Sequence, residues 1–128
     1  MKPELQKKLT KDFPKIFGDI DKTPQESAMS FGILTGDGWY WIIRHLCRAL
    51  QERTDEHGEP QVVASQVKEK FGGLRFYVNG ASDEQYSLIH FIEGLSFSVC
   101  EECGSMANVS LRKTGWLVTL CDSCEEDE

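Results

Sequence analysis

The chain has no long apolar run and no excess of basic residues. It contains no stretch of about 18 or more apolar residues, the length that a membrane-spanning helix needs. The N-terminus is charged and has no apolar stretch behind it, so we expect a soluble, unexported protein of the cytoplasm. With 14 basic and 21 acidic residues, we expect no extended binding to nucleic acid, which depends on many lysines and arginines that neutralise phosphates.

Motifs of the common enzymes are also missing. The sequence has no Ser-His-Asp set, Walker loop, metal-binding His-Glu motif or clear carboxylate pair. Its three histidines show no metal spacing. Cys47 falls on the apolar stripe of a predicted helix, where a small buried side chain is typical, although an unpaired cysteine can be a nucleophile. The sequence therefore predicts a protein that is not an enzyme.

Length and periodicity predict a single α+β domain. In this fold class, helices pack on a small antiparallel β-hairpin, and a zinc-ribbon-like module with four cysteines follows. We expect four segments: an N-terminal helix and connecting arm (1–35), an α+β core (36–99), a zinc-binding knuckle (100–124) and an acidic tail (125–128).

Three helices are predicted from apolar spacing and capping residues. Leucines and a phenylalanine at four-residue spacing indicate a helix over 3–17. A longer helix begins after Asp37 as N-cap and ends near Glu56. Ser82, with Gln85 three positions later, predicts a capping box at the start of the third helix.

Two hairpins are predicted from β-prone residues and turn glycines. The Gly72-Gly73 pair permits the positive φ of a tight turn between strands over 61–70 and 74–78. A second pair of short strands is expected near the C-terminal end, over 109–111 and 116–120, joined through 113–115.

Four cysteines form two close pairs: Cys100, Cys103, Cys121 and Cys124. The Cys-x2-Cys spacing lets two sulfurs turn toward one ion, and the 17 residues between the pairs are typical of four-thiolate zinc sites. Two disulfides, a redox Cys-x-x-Cys motif or a four-iron cluster are the alternatives. Because four thiolates leave no open coordination position, we expect one structural zinc ion per chain.

One segment, KFGGLRFY, combines cations, glycines and aromatic rings in eight residues. Its cations can pair with phosphate, Phe71 or Tyr77 can stack on a base, and its glycines permit close approach of a ligand. The alternative is a packed hairpin whose glycines only form a turn. The candidate ligand-binding residues here are Lys70, Phe71, Gly72, Gly73, Arg75 and Tyr77.

A second candidate site is TGDGW, residues 35–39, where two glycines precede a helix whose first amides attract anions. Asp37 and Trp39 would line it. The alternative is that Asp37 caps the helix and the glycines turn the chain. Arg44 and Arg48, one turn apart, could complement a phosphate or an acidic partner, although such a pair is also typical of a solvated helix face.

Four strings resemble a known group of proteins: GDGW, QVKEKFGGLRFY, CEECG and GWLVTLCDSC. They are similar to a family of small proteins encoded in tailed phages and prophages. The similarity extends from Gly36 to Cys124 and leaves out the first 35 residues. The resemblance implies an accessory protein, and the group includes inhibitors of host defence that sequester cyclic-nucleotide or ADP-ribose-type immune signals.

Together, these patterns predict a protein that sequesters a small phosphorylated, nucleotide-like ligand without cleaving it, in the host cytosol if the chain is phage-encoded. A chain this small completes a deep pocket more easily between subunits, so a homo-oligomer is also expected. One alternative is a zinc-ribbon adaptor that binds a protein through the Trp116 hairpin and the face with Arg44 and Arg48. The other is a nucleotide-cleaving enzyme, for which no general base is evident.

Overall fold

The computed structural model describes residues 1–113 and 115–126 and has the predicted α+β fold. The helices are α1 (Pro3–Asp12), α2 (Tyr40–His57), α3 (Asp83–Leu95) and α4 (Asp122–Glu126). The strands are β1 (Ile33–Leu34), β2 (Val63–Lys70), β3 (Gly73–Asn79), β4 (Val109–Lys113) and β5 (Leu117–Cys121). Single 3-10 turns cover Ala28–Phe31, Asp37–Trp39 and Ser96–Ser98. Over the described ranges, no helix has the length and apolar character to cross a membrane.

The larger sheet has the strand order β1-β2-β3. Strands β2 and β3 form the predicted antiparallel hairpin, with Lys68 opposite Arg75, and β1 runs parallel to β2. Because side chains alternate between the two faces of a strand, one face collects apolar residues and the other collects polar ones. The inner face is buried through Ala64, Val67, Leu74 and Phe76. The opposite face is called the outer face below.

Both edges of this sheet are occupied by other parts of the chain. Along β3, Leu74 N donates to Ser96 Oγ (2.9 Å) and Phe76 N to Glu93 Oε2 (2.8 Å). Along β1, Ile33 N donates to Gln6 Oε1 (2.9 Å). These bonds satisfy backbone groups that an open edge would offer to another strand. The outer face is covered at Gly73, where Phe97 packs, and is accessible at Lys70 and Tyr77.

The helices and the N-terminal segment share one core with the inner face. The predicted stripe of α2 is confirmed, since Trp39, Ile42, Ile43, Leu46, Cys47 and Leu50 are all buried. From the first 35 residues, Leu9, Ile16, Phe17, Met29 and Ile33 join the same cluster. The predicted connecting arm is thus an integral part of the core.

Helix α1 is shorter than the predicted helix over 3–17. It ends at Asp12, and the N–H of Phe13 closes the last turn by donating to Leu9 O. Pro14 follows at once, and proline has no N–H with which to continue the helix. Residues 14–21 instead form consecutive turns.

The helix cap that the sequence predicts is present at α3 and absent at α2. Ser82 and Gln85 form the predicted capping box. Asp37, however, lies in a 3-10 turn that precedes α2, and its Oδ1 accepts a hydrogen bond from Lys2 N at 2.8 Å. The predicted N-cap is therefore wrong, and Asp37 instead holds the start of α1 against the segment before α2.

Strands β4 and β5 form a separate antiparallel hairpin that carries one of the four clustered cysteines, Cys121, at the end of β5. Both strands are as predicted within one or two residues, while Thr114 of the predicted connection lies outside the described residues. Helix α4 was not predicted, and it takes in Glu125 and Glu126 of the expected acidic tail. The last two tail residues, Asp127 and Glu128, also lie outside the described part of the chain.

Candidate metal centre and sheet-face site

The four predicted cysteine ligands come together in space. All four Sγ atoms lie within 4.8 Å of one another. Cys103 Sγ and Cys121 Sγ are 3.7 Å apart, close to the sulfur separation of about 3.8 Å that a tetrahedral site with Zn–S bonds of about 2.3 Å requires. A disulfide would need about 2.0 Å, and all five cysteines of the chain are unpaired. The thiol set therefore fits a metal ion.

Two local turns place the sulfurs. After the first pair, Gly104 has φ +82°, and its N–H donates to Cys100 O at 2.9 Å. This positive φ is the reason for a glycine here, as the sequence predicts. In the second pair, Cys121 ends β5 and Cys124 lies in the first turn of α4, with Cys124 N 3.4 Å from Cys121 Sγ. The strand-to-helix transition thus turns both sulfurs to the same side.

The electrostatics of the four thiols favour a bound cation. Burial opposes the ionisation of Cys100, but the backbone amides of Cys103, Cys121 and Glu102 outweigh it and lower its pKa to about 7. Burial, and then the neighbouring thiols, raise the pKa of Cys124. Cys100 is therefore ready to ionise, whereas Cys124 needs a positive charge beside it to do so.

The TGDGW segment packs against the first cysteine pair. Gly36 N donates to Glu101 Oε2 (2.9 Å), and Gly38 N donates to Glu101 O (2.7 Å). A Cβ on Gly38 would lie only 2.5 Å from Gly104 N. The two glycines therefore leave room for the turn over residues 100–104, which carries the first cysteine pair. This turn occupies the place that the sequence analysis assigned to a ligand.

The other two residues predicted to line this site, Asp37 and Trp39, make contacts within the fold. Trp39 is fully buried, and its Nε1 donates to Val99 O at 2.8 Å. It therefore belongs to the core and offers no surface to a ligand. Asp37 is half-buried and bound to Lys2 N, so its carboxylate is committed within the chain.

The Gly72-Gly73 turn packs on the β4–β5 hairpin. Thr119 Oγ1 donates to Gly72 O at 2.6 Å in a buried hydrogen bond. A Cβ on Gly73 would lie 2.8 Å from Phe97 Cε2 and closer still to Cζ of that ring, and one on Gly72 would overlap Leu111. Both glycines are buried. The expectation that they admit a ligand is wrong, because side chains of the same protein already occupy the space beside them.

The other residues of KFGGLRFY do meet on the outer face. Register and alternation place the predicted ligand-binding residues Lys70, Arg75 and Tyr77 there, together with Gln66 and Lys68. We call these five residues the basic sheet face. Gln66 and Lys68 were not among the predicted ligand-binding residues, although alternation along β2 places both on the same face as Lys70.

The cations of the basic sheet face have no acidic partner. Among the described residues, no carboxylate oxygen lies within 4.0 Å of the charged groups of Lys68, Lys70 or Arg75. Arg75 Nη1 donates to Leu74 O (3.1 Å), which leaves its other donors available. Lys70 Nζ lies 5.6 Å from the ring centre of Phe71, a cation–π distance. In a chain of net charge −7, this face is a local positive surface.

Of the other residues singled out in the sequence, Arg44 and Cys47 have contacts within the fold, whereas Arg48 does not face the core. Arg44 binds Asp12 (2.6 Å) and Tyr40 (3.2 Å) and stacks over Phe13. It is therefore not free to bind a partner together with Arg48, as the predicted pair on one helix face requires. Arg48 is exposed. Cys47 is fully buried, and burial raises the pKa of its thiol, which agrees with a core residue.

A small pocket of about 170 Å³ lies where the cysteine module meets the rest of the chain. It is lined by Gly36, Glu101, Glu102, Val118 and Leu120. Burial raises the pKa of the Glu101 carboxyl. Because this carboxylate already accepts the Gly36 N–H, the pocket is part of the junction that holds the module in place.

No protein-family model matches this chain, and no curated protein or solved structure is similar to it. The resemblance to phage proteins therefore stays a prediction.

Proposed function

We propose that the four thiolates bind one Zn²⁺ ion with a structural role. Support comes from the all-sulfur ligand set, the 3.7 Å separation of two sulfurs and the turn at each pair. Zinc bound by four protein ligands keeps no open position for water, so it stabilises the module and supplies no catalysis. Metal analysis of the purified protein should find one zinc per chain, and a folded sample without zinc, or with iron in its place, would refute the assignment.

We also propose that the chain binds and sequesters a phosphorylated, nucleotide-like ligand on the basic sheet face without cleaving it. The observation that carries this proposal is a group of three cations with no acidic partner among the described residues, beside an exposed tyrosine on one face of the sheet. Lys68, Lys70 and Arg75 would contact phosphate oxygens, and Tyr77 would stack on the base. Sharing this face between two subunits would enclose the ligand further.

Ligand release tests this proposal directly. The zinc-loaded protein is incubated with cyclic nucleotides and ADP-ribose derivatives, separated from free compound and heated. Intact compound in the released fraction is the expected result. Cleaved compound would indicate the nucleotide-cleaving enzyme, and no retention of any compound would refute binding.

A pair of variants tests the assigned face. Arg75→Ala should weaken binding about 10-fold or more, since one charge-assisted contact to phosphate is lost. Arg48→Ala removes the same charge from an exposed position on α2 and should leave affinity unchanged. Thermal unfolding of both variants is measured in parallel. A large loss of stability in Arg75→Ala with unchanged affinity would show that this arginine serves packing alone.

One observation favours the adaptor as a second candidate. Trp116, in the turn between β4 and β5, is 79% exposed, and exposed aromatic rings often mark protein interfaces. A protein that co-purifies with the chain and is lost in Trp116→Ala would support the adaptor. Retention of nucleotide with no such protein would favour sequestration.

A further inference from the structure

The basic sheet face continues into an exposed aromatic pair at the hairpin tips. Phe71 is 67% exposed and Trp116 is 79% exposed. Phe71 precedes Gly72, and Trp116 precedes Leu117, whose Cβ lies 3.6 Å from the ideal Cβ position at Gly72. Both residues therefore flank the contact between the two hairpins, and both side chains are exposed. We call Phe71 and Trp116 the aromatic tip.

The shape of this surface is elongated. From Gln66 to Lys70, strand β2 advances about 13 Å at roughly 3.3 Å per residue, and the aromatic tip extends the surface beyond Lys70. A mononucleotide has one base and its phosphates at one end. A row of cations followed by two stacking surfaces matches a longer chain in which phosphates and bases alternate.

We infer that this surface binds a short single-stranded oligonucleotide, an inference that rests on the proposed function and names its ligand class. Lys68 and Arg75, which lie opposite each other, and Lys70 contact neighbouring phosphates, while Tyr77 and the aromatic tip stack on unpaired bases. Single strands expose both groups, whereas a duplex hides the faces of its bases within the stack.

The negative net charge of the chain does not oppose this binding. Electrostatic contact with phosphates depends on charges within about one Debye length, near 10 Å at moderate salt. Glu69, the acidic residue between the two lysines of β2, belongs to the inner side by alternation, and its Oε2 accepts the Gly72 N–H at 2.7 Å. The expectation that the chain has no extended binding to nucleic acid was based on its net charge. In the fold, the carboxylate of Glu69 lies on the opposite side of the sheet from Lys68 and Lys70.

Salt dependence follows from the number of cations. For single strands, the logarithm of the binding constant falls with the logarithm of salt concentration by about 0.7 per phosphate neutralised. Three contacts give a slope of about −2, so affinity should fall roughly 20-fold between about 50 and 200 mM salt. A mononucleotide that engages fewer cations should show a smaller change.

Fluorescence anisotropy of labelled dodecamers tests this inference on the full, zinc-loaded chain. Oligo(dT), oligo(U), a duplex of equal length and a mononucleotide competitor are compared. We expect the single strands to bind at least about 10-fold more tightly than the mononucleotide and the duplex, because additional bases stack.

Matched aromatic variants locate the contact. Phe71→Ala and Trp116→Ala should each weaken oligonucleotide binding by about 5-fold or more, the usual effect of losing one stacked base. Phe91 is equally exposed, at 67%, but lies on α3, so Phe91→Ala should have no effect. Circular dichroism and thermal unfolding verify that each variant is folded, as expected for changes at exposed positions.

The outcomes separate this inference from the proposed function. Equal affinity for oligonucleotide and mononucleotide would overturn the inference and leave the proposed function standing. No binding of either would refute both. Binding that depends on Phe91, or that favours the duplex, would overturn the inference by placing the contact elsewhere. The inference would also be overturned if a protein partner bound through Trp116 and the oligonucleotide did not bind.

Discussion

Replacing Gly38 with alanine tests the close fit between the start of α2 and the metal knuckle. An ideal Cβ at this position lies 2.5 Å from Gly104 N and closer still to Cys100 O. Both are backbone atoms, so neither can rotate away as the end of a side chain does. Gly38 is not among the glycines with positive φ, so steric overlap alone is responsible for the expected effect.

The magnitude can be worked out from two contributions. Overpacking of a closely packed contact costs about 1–3 kcal/mol. Separation of the two segments also weakens the 2.7 Å hydrogen bond from Gly38 N to Glu101 O, which contributes about 1 kcal/mol. The free energy of unfolding should therefore fall by about 2–4 kcal/mol, equivalent to a decrease in Tm of roughly 10 °C for a chain of this size.

Urea denaturation of the zinc-loaded protein measures this difference, and zinc competition with a chelator should show weaker metal binding in the variant. Gly94→Ala is the matched control, because Gly94 lies in α3 and a Cβ there meets nothing within 4 Å. This control should be neutral or more stable by up to about 1 kcal/mol. If Gly38→Ala unfolds within about 0.5 kcal/mol of the parent chain, the proposed fit between α2 and the knuckle is wrong.

Four further predictions concern the metal, the core, the capping box and acid stability. Removal of zinc with a chelator should increase amide hydrogen exchange in β4 and β5, whereas unchanged protection would show that the metal does not stabilise the module. Trp39→Phe should cost about 1–3 kcal/mol in urea denaturation, because Val99 O loses its donor at 2.8 Å in a buried place; a neutral result would contradict this role. Ser82→Ala should cost about 1 kcal/mol, because the capping box is lost, and an equal loss in the exposed variant Ser87→Ala would argue against capping. The Ser82 hydroxyl, and after it the Arg53 guanidinium, lower the pKa of Glu59 below its ordinary value of 4.5. The stabilisation from this carboxylate is complete above pH 4.5 and is lost as the pH falls through the lower folded pKa. Glu59→Gln should therefore flatten the acid limb of the stability profile, and an unchanged limb would exclude this contribution.

Spacing along the sequence was sufficient for the elements that local interactions define. The two Cys-x2-Cys pairs predicted the metal ligands, because two residues between cysteines bring both sulfurs to one side. Apolar spacing predicted α2, and Ser82 with Gln85 predicted the start of α3. Each of these features depends on residues within a few positions of one another, which is the range over which sequence patterns carry information.

Alternation along β2 and β3 explains which residues of KFGGLRFY share a face, a point that was not predicted from the sequence. Lys70, Arg75 and Tyr77 follow from the hairpin register. The short strand β1 was missed, since its two residues pair with β2 across more than 30 positions of sequence. Helix α4 was missed because one turn after a strand gives too short a pattern.

The role of the glycines was decided by the tertiary structure alone. Gly72 and Gly73 were predicted to permit close approach of a ligand, and Gly36 and Gly38 to precede a helix whose first amides attract an anion; in the structure, other segments of the chain lie against all four. The approaching groups are the Cys100–Gly104 knuckle, the Phe97 ring and the β4–β5 hairpin. A missing Cβ shows that space is needed beside the backbone, but what occupies that space depends on segments distant in sequence. The sequence by itself therefore determined the metal ligands and the cations, while the packing of the metal module decided which surface stays open.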